Sequence, residues 1–245
     1  MADVVEWGKL RRGELGALAE AGAWVLVPVG SMEQHGEHLP VDTDTTSAWH
    51  VACSAARMVE HPPVVVTPPV WAGLSPQHSS FPGAISLRLE TLTSLIADIC
   101  ANIGSQGFGG IVLLNGHGGN RSLLEALALE LRHRLGLPIL AVTYWDLIPD
   151  ALEEVREGEG VSIGHSGELE TSIQLYLQPE RVADERRLVP GITDDPSLGE
   201  AAKGQRLMEA AAEALADYVR RAVPWLAEHT LEELAMRGYE LWTRG

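Results

Sequence analysis

Cysteine is scarce in this sequence, since only two residues, Cys53 and Cys100, occur among 245. They lie far apart in helix-like segments and form no Cys-x-x-Cys pair of the kind that binds structural zinc. Isolated thiols of this kind are typical of a reducing compartment. We therefore expect a cytoplasmic location.

Long apolar runs are also missing. No stretch approaches the roughly 20 residues that a membrane-spanning helix needs. Residues 1–6, MADVVE, lack the basic and then apolar pattern of a signal peptide. The sequence thus predicts a soluble chain without a membrane partner.

Positive charge is in short supply as well. The chain has 18 Lys and Arg against 34 Asp and Glu, which gives a formal net charge of −16. Such a charge repels nucleic acid and anionic membranes, so we expect neither as a partner. Because the length suits one large core and no internal repeat or linker is visible, residues 1–245 are predicted to form a single domain.

What the sequence does contain is a dense group of potential metal ligands directly after the apolar segment 24–29. The group comprises Glu33, His35, Glu37, His38, Asp42 and Asp44. Open α/β folds place their chemistry at the carboxyl ends of buried strands. Mixed carboxylate and imidazole ligands suit zinc, manganese or iron better than magnesium or calcium. The alternative is a polar loop with accidental histidines.

A second segment, residues 111–120, is again an apolar strand that ends in a polar turn, here with His117 between glycines. Glycines let the main chain approach a bound ion or substrate closely. Asn120 and Ser122 could cap the helix that follows. A phosphate site is the weaker interpretation, because neither the Rossmann glycine spacing nor a P-loop ending is present.

The third segment is residues 164–172, read as the start of a helix. It puts His165 and Glu168 one turn apart on one face. Glu168 and Glu170 also have a structural explanation, because the helix dipole favours carboxylates in a first turn. One shared site is a simpler explanation of these three clusters than three independent coincidences.

Strand-like and helix-like segments alternate along the chain. This βαβα order predicts an α/β fold, a three-layer α/β/α arrangement with a mainly parallel sheet. The Ala/Leu/Glu-rich segment 196–222 has helical spacing and is predicted to pack one face on the core.

Four co-linear motifs within about residues 24–180 resemble the creatininase (creatinine amidohydrolase) family. They are EQHGEHLP with Asp44, QHSSFPGAISL from Gln77, NGHGGN from Asn115, and HSGELETS from His165. The resemblance implies a dinuclear metal hydrolase and a homo-oligomer, often a hexamer. It also implies that Glu33, Asp44 and His117 hold one ion, and that His35 and a bridging Asp44 hold the second.

The chain departs from creatininase at the turn after His117. There the resemblance implies Tyr-Glu-Asn, whose Glu completes the second ion, but this chain has Gly118, Gly119 and Asn120. We predict that Glu168 replaces the missing carboxylate. The expected cofactors are two divalent ions, zinc, manganese or iron, which together lower the pKa of a shared water.

The resemblance assigns His165 as the catalytic histidine, which would donate a proton to the departing nitrogen. Predicted substrate contacts are Trp145, His78, Gly118, Gly119 and His38. Trp145 resembles a tryptophan that stacks on creatinine. Three other ring-recognition features are replaced, by Gly118, Val161 and Gly164, so creatinine is a disfavoured substrate.

Three hypotheses about function remain open. The first is an amidohydrolase that cleaves a small non-peptide C–N bond, in a cyclic amide or a formamide. The second is a peptidase for a small modified peptide, like the mycofactocin branch of the family, although that branch tends to lack a Glu at the Glu168 position. The third is a metal-binding protein without catalysis, which a solvent-open metal position argues against.

Overall fold

The computed structural model describes residues 5–160 and 162–228, without the side chains of residues 224–228. Four strands form one parallel sheet in the order β2-β1-β3-β4. The strands are β1 (Trp24–Val29), β2 (Val64–Val66), β3 (Gly110–Asn115) and β4 (Ile139–Thr143). Nearly every strand residue is buried, as expected for a parallel sheet that is covered on both faces.

Seven α-helices lie in the described part of the chain. They are α1 (Arg12–Glu20), α2 (Thr43–Met58), α3 (Leu89–Ser105), α4 (Arg121–Leu135), α5 (Pro149–Val155), α6 (Glu168–Leu177) and α7 (Ala201–Glu228). None of the described helices is both long and apolar enough to span a bilayer.

Two apolar layers separate the helices from the sheet. One face of the sheet packs on α2, α5, α6 and α7, and the other packs on α1, α3 and α4. Alternation of inward side chains along each strand explains this division: Leu26 belongs to the first layer, and Val25 and Val27 to the second. The predicted three-layer α/β/α fold with a parallel sheet is confirmed.

Most of the predicted elements are present, with shifted ends. Helix α5 is short, because a 3₁₀ turn, Tyr144–Leu147, precedes it. The predicted cap of α4 differs in its chemistry. Asn120 occupies the N-cap position, but its side chain bonds the Gly30 carbonyl and the Leu74 N–H at 2.9 and 2.8 Å. Asn120 therefore connects the loop after β1 with the loop after β2, and its side chain does not cap α4.

The carboxyl ends of the strands meet at one edge of the sheet. Val29 pairs with Asn115, and Asn115 pairs with Thr143. The side-chain amide of Asn115 donates to Thr143 Oγ1 at 3.1 Å, and its oxygen accepts from the His117 N–H at 3.0 Å. The loops after β1 and β3, which carry the predicted ligands, therefore lie side by side.

Candidate metal centre

Five buried side chains from four places in the sequence converge at this edge. Glu33 and His35 follow β1, Asp44 lies in the first turn of α2, His117 follows β3, and Glu170 lies in the first turn of α6. Two groups of three place one ligand atom from each member within 4.8 Å of one another. They are Glu33 with Asp44 and His117, and His35 with Asp44 and Glu170.

Asp44 belongs to both groups and uses a different oxygen in each. Its Oδ2 lies 3.0 Å from His117 Nδ1, and its Oδ1 lies 3.2 Å from His35 Nε2. Glu33 Oε2 completes the first group at 3.3 Å from His117 Nδ1. Glu170 Oε2 completes the second at 3.6 Å from His35 Nε2. A carboxylate in this position can bridge two ions.

The second nitrogen of each ligand histidine is held by a backbone carbonyl. His117 Nε2 lies 2.9 Å from the Leu74 oxygen, and His35 Nδ1 lies 3.2 Å from the Glu33 oxygen. When these nitrogens carry the proton, His117 Nδ1 and His35 Nε2 turn their lone pairs towards the carboxylates. Metal-ligating histidines are typically oriented in this way.

The protonation equilibria of the cluster are strongly perturbed. Burial opposes the charging of His117, but the hydrogen bond and charge of Asp44 outweigh it and raise the pKa of His117 to about 9. Burial raises the pKa of Glu33 to about 7, and the charge of Asp44 adds to the rise. Burial also opposes the charging of His35, yet Asp44 and Glu170 bring its pKa well above the usual range.

These shifts show a cluster whose carboxylates need positive charge. Apart from their contacts with other side chains inside the cluster, His35 Nε2 and Asp44 Oδ2 are buried atoms without a hydrogen-bond partner among the described residues. Buried ligand-type atoms without partners fit a metal ion, because a cation would satisfy both the lone pair and the carboxylate charge. The donor set, three carboxylates and two imidazoles, suits zinc, manganese or iron.

The structure corrects the assignment of Glu168 as the missing ligand. Glu168 Oε1 lies 2.6 Å from Lys203 Nζ, and its two oxygens accept the N–H groups of Glu157 and Gly158. Its carboxylate therefore points away from the cluster, and Glu170, one residue past Leu169, points into it. The helix dipole alone does not explain Glu168 and Glu170, because each carboxylate also has a specific partner: Lys203 for Glu168 and His35 for Glu170.

The backbone explains why residue 119 supplies no ligand here. A Cβ atom added at Gly119 would lie 2.5 Å from His117 Nε2 and would also overlap the Leu74 carbonyl oxygen. Those two atoms form the hydrogen bond that orients His117. Any side chain at position 119 would disturb that bond unless the turn moved.

His165, the predicted catalytic residue, and His78, a predicted substrate contact, also lie beside the cluster. Their rings stack with centroids 4.6 Å apart, and both lie next to Glu33 Oε1. The distances from this oxygen are 3.5 Å to His165 Nδ1 and 3.7 Å to His78 Nε2. Burial lowers the pKa of both histidines, that of His78 to about 4, so each is neutral at neutral pH. Glu33, His35 and His165 form a third group with ligand atoms within 4.8 Å.

The remaining predicted contacts have mixed outcomes. His38 is buried, and its Nε2 lies 2.9 Å from Thr171 Oγ1, so the structure places it behind the site and not at a substrate surface. Gly118 and Gly119 are exposed beside His117, where a substrate can approach. Val161, which replaces a ring-recognition tryptophan, lies outside the described residues.

Trp145 is buried and lines a cleft of about 660 Å³, with Asp146, Leu152 and Arg156 among its walls. No residue of the metal cluster lines this cleft. The Arg121 guanidinium lies 5.9 Å from the centre of the Trp145 ring and forms a two-fold ion pair with Asp146. These contacts do not test the predicted stacking of Trp145 on a substrate, which stays a prediction.

Comparison with known proteins agrees with this geometry. The sequence profile of the creatininase family, described as creatinine amidohydrolase, matches residues 9–219. The chain belongs to the creatininase family. The match extends beyond the segment 24–180 in which the motifs lie, and it includes most of α7.

Two curated relatives illustrate the family's range. The mycofactocin precursor peptide peptidase of Mycolicibacterium smegmatis is 34% identical over 82% of this chain and 85% of its own length. The creatinine amidohydrolase of Pseudomonas putida is 30% identical over 91% of this chain and 99% of its own length.

Solved creatininase structures share the fold. One manganese form and one variant of the zinc–zinc type match with a TM-score of 0.78 at 26% identity. They cover 90% and 91% of this chain and 99% and 100% of their own chains. The predictions of a creatininase-family chain and of a metal-dependent hydrolase that acts on amide C–N bonds are confirmed.

Proposed function

We propose that this chain hydrolyses an amide bond with two divalent ions held in the cluster. Glu33, Asp44 and His117 would hold one ion, and His35, Asp44 and Glu170 would hold the other. When bound, such a pair lowers the pKa of a shared water and polarises the carbonyl under attack. The observation that carries the proposal is the position of Asp44, whose two oxygens face two separate ligand groups.

The residues around the cluster would carry out the remaining steps. His165 Nδ1 lies next to Glu33 Oε1, within reach of a substrate carbonyl at the cluster. As the C–N bond breaks, the departing nitrogen needs a proton, and an imidazole is suited to supply it near neutral pH. Ser31 Oγ, at 3.2 Å from Glu33 Oε2, would hold that carboxylate in place.

For the substrate, we propose a short modified peptide ahead of creatinine. The M. smegmatis relative, named as a peptidase, is 34% identical, and the chain lacks most of the residues that hold a flat ring. The feature of the sequence that speaks against a peptidase is Glu168, which that branch tends to lack. Since Glu168 binds Lys203 and not the cluster, that objection loses its force.

The second candidate is a small non-peptide amide, a cyclic amide or a formamide. Its support is Trp145, an aromatic residue after β4 at the same sheet edge, and the 30% identity to a creatinine amidohydrolase. A single experiment compares the two candidates. Metal-free protein is reloaded with zinc or manganese and incubated with creatinine, N-formyl amines and a set of synthetic peptides, and products are followed by mass spectrometry.

The control is Asp44→Asn, which keeps the shape of the side chain but removes the bridging charge. We expect cleavage of one substrate class by the loaded wild-type chain, and neither full metal content nor turnover in the variant. Turnover by Asp44→Asn at the wild-type rate would contradict the two-ion site. Cleavage of creatinine in preference to every peptide would overturn the substrate proposal alone.

A further inference from the structure

Gln34 lies between two of the proposed ligands, Glu33 and His35. Its side chain is buried and reaches three other segments of the chain. The amide oxygen accepts the Gly36 N–H at 2.8 Å. The amide nitrogen lies 3.0 Å from the Gly191 carbonyl, 3.1 Å from His78 Nδ1 and 2.9 Å from His165 Nε2.

The orientation of this amide is fixed by its backbone partners. An N–H can only donate and a carbonyl can only accept, so Gly36 requires the oxygen and Gly191 requires the nitrogen. One of the two amide hydrogens is therefore used by Gly191. The other can serve only one of the two histidines.

The backbone carbonyl of Gln34 decides which histidine this is. It lies 3.0 Å from His165 Nε2 and has no other hydrogen-bond donor in the described part of the chain. If His165 Nε2 carries its proton, it satisfies that carbonyl, and the second amide hydrogen goes to His78 Nδ1. The opposite choice leaves both the Gln34 carbonyl and His78 Nδ1 without a partner, and polar groups shielded from water are costly to leave unpaired.

In the favoured arrangement both histidines carry their proton on Nε2, but they turn opposite nitrogens to the site. His78 directs its Nε2–H, and His165 its bare Nδ1, to the same oxygen of Glu33. We propose that Gln34 is a positioning residue that makes His78 present a hydrogen-bond donor and His165 a proton acceptor to the bound substrate.

This inference rests on the proposed amide hydrolysis and deepens it. The proton that leaves the attacking water passes to Nδ1 of His165. The same proton goes to the departing nitrogen as the C–N bond breaks, so His165 returns to its neutral form. The Nε2–H of neutral His78 transfers no proton and serves as a hydrogen-bond donor to the substrate or to Glu33.

The test is to observe the ring nitrogens directly. Protein labelled with ¹⁵N-histidine and loaded with zinc is studied by long-range ¹H–¹⁵N NMR at pH 7.5, and His78→Gln and His165→Gln assign the two rings. Protonated and bare ring nitrogens have well-separated shifts. We expect a protonated Nε2 and a bare Nδ1 in both rings of the wild-type chain.

Gln34→Glu provides the decisive variant, because it replaces the amide donor by an acceptor of the same length. We expect the proton of His78 to appear on Nδ1, while His165, held by the Gln34 backbone, keeps its wild-type shifts and serves as the internal control. If Gln34→Glu folds poorly, Gln34→Met, which lacks both donor and acceptor, should remove the hydrogen bond that His78 Nδ1 accepts and so change the ¹⁵N shift of that nitrogen.

A His78 ring whose shifts are unchanged in both variants would overturn the proposal, and so would a protonated Nδ1 of His165 in the wild-type chain. Because the measurement uses no substrate, its result is independent of whether the proposed peptide or amide is cleaved. Zinc content is measured alongside and should stay at the wild-type level, which separates loss of positioning from loss of a ligand.

Discussion

Glu168 and Glu170, in the first turn of α6, offer a matched pair of variants for the metal site. Both are buried glutamates, and they are two residues apart in the same helix. Only Glu170 faces His35, at 3.6 Å, whereas Glu168 lies 2.6 Å from Lys203. Glu170→Gln should therefore reduce the bound metal from two ions per chain to one, and Glu168→Gln should leave it unchanged.

The stability effects can be worked out from the same contacts. An ion present at 100 times its dissociation constant stabilises the fold by about 2.7 kcal/mol. For a chain of this size each kcal/mol shifts Tm by roughly 2–4 °C. Glu170→Gln should thus lose roughly 5–10 °C of the rise in Tm that saturating zinc gives the wild-type chain.

Glu168→Gln should lower Tm by another route. Its amide group cannot accept hydrogen bonds from Lys203 and from both the Glu157 and Gly158 N–H groups, so buried donors lose partners at about 1–3 kcal/mol. That loss is the same with and without zinc, because Lys203 does not contact the cluster. The zinc-dependent rise in Tm should equal that of the wild-type chain.

Calorimetric scans of metal-free and zinc-loaded protein, together with elemental analysis, measure both quantities. Two ions retained by Glu170→Gln, with the full zinc-dependent rise in Tm, would refute the ligand assignment. Loss of an ion from Glu168→Gln would refute the correction made from the structure and restore Glu168 as the ligand.

Three further predictions concern the same chain. His165→Ala should keep both metals and lose turnover by roughly 10²–10⁴-fold in a steady-state assay, and an unchanged rate would remove His165 from the mechanism. Zinc binding should release protons near pH 7, because it displaces them from His117, whose metal-free pKa is raised to about 9, and from His35, whose pKa is also raised. Calorimetry in two buffers of different ionisation enthalpy measures the number of protons released. A value of zero would contradict the prediction. By the same shift, the charge on His117 stabilises the metal-free fold below about pH 6.5, and this contribution fades as the pH rises through about 9. We also expect a homo-oligomer, as large as a hexamer, so sedimentation should give a multiple of 26.4 kDa and not the monomer mass.

Much of the fold and of the site could be predicted from the sequence. Strands of a covered parallel sheet are apolar throughout, and polar turns directly after two of them marked where ligands would gather. His35, Asp44 and His117 followed from that placement and from the family motifs. The structure brings these residues together as expected.

The glutamate of α6 could not be chosen from the sequence, for a specific reason. Residues 168–174 are all buried, so the first two turns of this helix have no exposed face that would set the direction of each carboxylate. The direction of each carboxylate depends on its tertiary partner. Glu168 meets Lys203 of α7, and Glu170 meets His35 of the loop after β1. Both partners are distant in sequence, and local spacing contains no information about them.

The lack of a potential ligand at position 119 and the position of Glu170 are two aspects of one arrangement. With glycine at 119, the turn packs its main chain against His117 and the Leu74 carbonyl so closely that no side chain fits. The proposed second ion would then need a carboxylate from another direction, and Glu170 stands opposite, with Oε2 also accepting the Ser166 N–H. Ser166 has a positive φ of 57°, an uncommon conformation for a residue other than glycine, and this turns its N–H towards Glu170. The loop before α6 therefore supports the ligand as well as carrying His165. A Gly119→Glu variant would have to move the turn away from Leu74, and Glu170 would then no longer be required at the proposed second ion.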